Sequence, residues 1–107
     1  MSEQIKYVEV VLDKPRKLLL DMNAMASFEE QTGKNFFEFS SGLVKERISA
    51  KDLRAFLWCA LVHEDSGLTV EQVGSMIRAD NMVEVQRRLA EAQSVNLPES
   101  KGTRPLE

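Results

Sequence analysis

Ser49-Ala-Lys-Asp-Leu-Arg-Ala-Phe-Leu-Trp-Cys-Ala-Leu-Val-His-Glu64 reads as one unbroken helix, and the rest of the chain has to be arranged around it. Ser49 is a good N-cap. Asp52, three residues on, sits where a carboxylate reaches back toward the free amides of the first turn, and no Gly or Pro interrupts the run to Glu64. Leu53, Phe56, Leu57, Ala60 and Leu61 recur at helical spacing and form one apolar stripe, while Ala55, Trp58, Cys59 and Val62 fill most of the opposite side. A helix apolar on nearly every side must be covered from more than one direction. Either the rest of this chain wraps it, or one flank is left for a partner.

Upstream, Ile5 to Leu12 is rich in β-branched and aromatic residues, and Leu18 to Leu20 is a second short apolar run. Asp13-Lys14-Pro15 between them favours a turn, which predicts a β-hairpin with Arg16 and Lys17 at the base of its second strand. A hairpin alone is marginal in water, so it must pack on the helices. Asp21 or Asn23 caps a helix running to about Thr32, with Leu20 placed to staple against Met25 if Asp21 is the cap. Gly33 ends it. Met25 and Phe28 form its core face; Glu29, Glu30 and Gln31 are expected toward water, and adjacent carboxylates on a helix diverge too far to share a catalytic site. Phe36, Phe37 and Phe39 crowd into a short helical turn before Gly42, as rings that plug the space beside the central helix or as an anchor for a partner.

Downstream, Thr69-Val-Glu-Gln72 is a capping box for a helix whose core face would be Val70, Val73, Met76 and Ile77, and Gly74 within it would allow close packing. Asn81, with Glu84 three positions later, starts a last helix on which Met82, Val85, Leu89 and Ala92 make a narrow seam. Two such repeats are short for a coiled coil, so docking onto the domain is expected rather than dimerisation. Pro98 ends the regular pattern. The expected architecture is therefore α+β, mostly α: one globular domain over residues 1–97, with an N-terminal hairpin on four to five helices, and a flexible tail over 98–107.

The chain has 107 residues, 43% of them hydrophobic and 29% charged, which fits one ordinary core. No apolar run approaches the roughly 20 residues of a membrane span and the N-terminus lacks a signal-peptide layout, so a cytoplasmic location is expected. The single cysteine, Cys59, excludes an internal disulfide and a multi-cysteine metal site, and reads as a small buried hydrophobe. His63-Glu64-Asp65-Ser66 offers donors at a helix end, but without a second His or Cys no metal or other cofactor is expected. No phosphate loop, serine-hydrolase context or paired-cysteine motif is present, and an enzyme is not expected. The net charge of −3 puts nucleic-acid binding at a disadvantage. Leu68 to Leu89 has the outline of a helix-turn-helix, with Thr69–Ile77 as first helix and Met82 onward as second. Yet Met82, Val83, Glu84 and Val85 stand where a recognition helix needs base-reading side chains.

The run Lys17-Leu-Leu-Leu-Asp-Met-Asn-Ala-Met-Ala-Ser-Phe-Glu-Glu-Gln-Thr-Gly33 resembles the opening of small phage tail assembly chaperones, including those of gene-transfer-agent type. Ser49 to Trp58 and Leu68-Thr-Val-Glu-Gln-Val-Gly74 are similar to the middle and late helices of that family, so the resemblance spans roughly Arg16 to Ala92. It implies a non-enzymatic protein that binds the tape measure protein and keeps it soluble while tail tube subunits, a further candidate partner, assemble around it. A helix-turn-helix regulator and a structural head or tail joining protein are the alternatives. No family motif says which residues hold the client. From chemistry, the Trp58 and Val62 flank of the central helix with Phe36 or Phe37 nearby is the candidate surface; the competing reading makes all four core.

Overall fold

In the computed structural model, which describes residues 7–42 and 48–96, a hairpin of β1 (Val8–Val11) and β2 (Pro15–Leu18) leads into five helices: α1 (Met22–Thr32), α2 (Phe36–Gly42), α3 (Ala50–Leu61), α4 (Val70–Gly74) and α5 (Met82–Asn96). The fold is α+β and mostly helical, with the hairpin laid on the helices.

The strands pair antiparallel, Val8 opposite Leu18 and Val10 opposite Arg16, and burial alternates along both, as a sheet with one covered face requires. β2 includes Arg16 and Lys17, as expected at its base, but leaves out Leu19 and Leu20 of the apolar run. Pro15 sits at its first position, where a missing amide costs no ladder bond, and Arg16 faces inward with its guanidinium bonded twice to Asp13, at 2.7 and 2.8 Å. The strand stops at Leu18 because the Leu19 amide turns instead to the Ala60 carbonyl, 3.0 Å away, and stitches the hairpin to α3. Ile5 and Lys6 lie outside the described residues.

Asp21 is the cap of α1, its carboxylate accepting from the Ala24 amide at 2.9 Å; Leu20 and Met25 are both buried in the same core. The helix ends where Gly33 takes φ 75°, a left-handed conformation that lets its amide close on the Glu29 carbonyl. Glu29 does not lie in water as expected. It is half-buried, and its carboxylate accepts from the Phe36 amide at 2.9 Å, satisfying the otherwise free start of α2. Phe36 is fully buried and, with Phe28, Phe39 and Phe56, builds a cluster of tilted and edge-on rings.

Ser49 caps α3 by accepting the Asp52 amide at 3.1 Å. The Asp52 carboxylate goes elsewhere than the first-turn amides: Lys34 donates to it at 2.6 Å, which ties the α1–α2 connection to the start of α3. The whole predicted stripe of α3 is buried, and so are Ala55 and Cys59 on the other side, because α1, β2, α4 and α5 all pack against this helix. The chain itself wraps its central helix.

The capping box of α4 forms in full, Gln72 donating its amide to Thr69 while its side chain accepts the Thr69 amide. This helix is shorter than the apolar spacing suggested. After Gly74 the Ser75 amide is shared between the Glu71 and Gln72 carbonyls and those of Met76 and Ile77 reach back only three residues, so the chain tightens into turns while Met76 and Ile77 still pack on the core. Asn81 precedes α5 and its carbonyl accepts the Val85 amide, but its side chain turns away from the new helix, accepting from the Arg78 amide and donating to the Met76 carbonyl. Val85, Leu89 and Ala92 have no exposed surface, and this seam rests on β1 and α3. Residues 43–47 and the proposed tail at 98–107 lie outside the described residues.

Candidate interaction surface

α3, α4 and α5 meet in a trough of about 540 Å³ beside the N-terminal half of α3. Its apolar side chains are Ile48, Leu53, Ile77 and Met82; Arg54 and Glu71 stand on its walls. Each element supplies a wall for a local reason. The Ser49 cap fixes where α3 begins and so aims Leu53 and Arg54; the tightened turns after α4 carry Ile77 inward; and the Asn81 side chain, by bracing the 76–78 turn, sets Met82 at the lip. Leu53 is nearly buried at the floor, whereas Met82 keeps 38% of its surface exposed. A smaller cleft of about 230 Å³ adjoins, sharing Ser49 and Arg54 and adding Lys34, Lys51 and Asp52.

The four residues singled out from sequence do not form one patch. Phe36 is core. Phe37, its neighbour at 6.0 Å, is 48% exposed on α2. Trp58 is half-buried and held in place, its indole Nε1 donating to the Leu68 carbonyl at 3.0 Å; Val62 is half-buried one turn later as the C-cap of α3. Phe36 packs on Phe56, and two residues along a helix turn by about 200°, so Trp58 faces the other way. The trough was missed because its lining comes from three separate stretches of chain. The half-exposed Ile77 and Met82, each at the edge of a predicted apolar stripe, were the available signal.

Among the described residues no buried side-chain nitrogen or oxygen lacks a hydrogen-bond partner. Burial pushes the Cys59 thiol well above its usual range and leaves it inert. The His63 Nε2 lies 2.9 Å from the Lys17 carbonyl and its ring stands 5.5 Å from Tyr7. Among the described residues no three His, Cys, Asp or Glu side chains gather as a metal site, and no helix is long and apolar enough to cross a membrane. At the start of α5, where a DNA reader would place its base contacts, Val83 is 79% exposed. Glu84 binds Arg87 and Arg88 at 2.7 and 2.6 Å, and these bonds, Arg87 first, hold its carboxyl below the usual range. No protein-family model, curated protein or solved structure matches this chain.

Proposed function

We propose that this protein is a non-enzymatic phage or prophage tail assembly chaperone, which binds the tape measure protein in the cytoplasm of the host bacterium and keeps it soluble while the tail is built. The observation that supports the reading most is the trough at the edge of the core, where Ile48 and Ile77 are only partly buried and Met82 is 38% exposed, leaving apolar surface available to a client. The likeness of Lys17–Gly33, Ser49–Trp58 and Leu68–Gly74 to tail assembly chaperones supplies the identity of that client. A tape measure exposes long apolar helical stripes until the tube encloses it, and a small acidic domain that covers them in turn would prevent their association.

Co-expression with tagged fragments of a tape measure protein encoded beside this chain tests the proposal. Helical fragments should become more soluble and retain the protein on the affinity resin. If no fragment does either, the assignment fails.

A further inference from the structure

We propose that two copies of this chain associate edge to edge through β1, antiparallel, with Val10 on the two-fold axis. The hairpin has two unlike edges. In an antiparallel pair each residue turns both of its backbone groups either to the other strand or away from it, in alternation along the chain. The Leu12 amide stays within the hairpin, donating to the Lys14 carbonyl at 3.0 Å, whereas Lys17 turns outward, its amide to the Glu64 carboxylate and its carbonyl to the His63 ring. Glu9 lies opposite Lys17 and Val11 opposite Pro15, so the backbone groups of Glu9 and Val11 also turn away from the hairpin, along the far side of β1. On the β2 edge Pro15 has no amide to offer and both groups of Lys17 are engaged. On the β1 edge the amides and carbonyls of Glu9 and Val11 meet no hydrogen-bonding group among the described residues, and both side chains are exposed, Val11 at 71%. One edge is closed and the other is a template for a further strand.

Charge and backbone direction select a second β1 in one register. Outward-turned residues must face outward-turned residues, which sets Glu9 against Glu9, Val11 against Val11, or Glu9 against Val11. The first opposes two carboxylates, and the second brings Glu9 opposite Asp13. The third puts Val10 on the axis. Glu9 and Val11 of each copy then exchange both backbone bonds with Val11 and Glu9 of the other, so every open group is used. On the covered face of the sheet Val10 meets Val10 and Val8 meets Leu12, apolar against apolar. A foreign extended segment would gain the same backbone bonds but present a fresh open edge of its own. With a second copy the joined sheet ends on a closed β2 edge at each side, and association stops at the dimer.

Sedimentation velocity on the full chain tests the proposal. The protein should pass from monomer to dimer as its concentration rises from about 10 µM to about 1 mM, the range of a small interface, and should form nothing larger. Val11→Pro removes an outward amide and leaves the β1–β2 ladder untouched, so it should melt like the native chain and stay monomeric throughout. Two charge variants at this exposed position read the register. Val11→Lys, set against Glu9 of the other copy at two symmetric places, should tighten the dimer about fivefold, and Val11→Glu should weaken it by as much. Hydrogen exchange followed by NMR should find the Glu9 and Val11 amides slowing as concentration rises. If Val11→Pro melts early, the charge variants and the exchange decide. A monomer at every concentration, a dimer that a folded Val11→Pro leaves intact, growth beyond the dimer, Val11→Lys and Val11→Glu acting alike, or exchange at Glu9 and Val11 that ignores concentration would each overturn the proposal.

Discussion

Arg16 is 6% exposed, and a cation so placed must keep its counter-charge. Asp13 supplies it. The two bonds from the Arg16 guanidinium hold the Asp13 carboxyl at about 2, below its ordinary 3.8. A carboxyl whose pKa falls on folding stabilises the fold above the unfolded value, and the contribution disappears as pH drops through the folded one. Asp13→Asn should therefore melt below the native chain at neutral pH, and the two melting curves should converge as pH falls from about 4 toward 2. A constant gap across that range would show that the bond geometry matters and the charge does not. Asp13-Lys14-Pro15 reads as a turn and Arg16 as the base of the second strand, and neither reading says that the arginine faces inward. Only the register, with Arg16 opposite buried Val10, reveals it. Trp58 hides its role for a similar reason: its partner, the Leu68 carbonyl, belongs to a loop whose path no periodicity gives.

Caps were the most legible feature at the level of single elements, since Ser49 and the Thr69–Gln72 box act on amides within three residues of themselves. Side chains that serve a neighbouring element were not legible: Glu29 satisfies α2, Asp52 binds Lys34 and Asn81 braces the preceding turn. The end of α4 was obscured because a three-residue apolar spacing fits a helix and tighter turns equally well. Two glycines separate conformation from space. Gly33 has a positive φ with open surroundings, so Gly33→Ala should cost about 1 kcal/mol through the backbone alone. At Gly74 an added methyl would meet the flexible Arg54 side chain at an ordinary 3.4 Å, and φ is not positive. Gly74→Ala should then be neutral or gain up to about 1 kcal/mol. Urea denaturation of both variants checks the pair; a loss at Gly74 as large as that at Gly33 would mean that α3 and α4 need the closer approach.

Across the whole molecule, one core joins the hairpin, α1, the Phe cluster, α3 and the seam of α5. Leu89 lies in that core with no exposed surface, so Leu89→Ala should lose roughly 2–5 kcal/mol in a single cooperative transition. A separate early transition would show that α5 detaches by itself. The fold class could be read from the sequence because each stripe announces its own burial. The candidate site could not: the wheel of α3 puts Phe56 and Trp58 on opposite sides, whereas the trough is a junction of distant segments. The end of α3 also does something for the hairpin beyond holding it. The outward amide of Lys17 reaches the Glu64 carboxylate at 3.4 Å and its carbonyl meets the His63 ring. Side chains thus occupy the β2 edge where another extended chain would add itself, so the hairpin is guarded on that side against pairing edge to edge with a second extended segment.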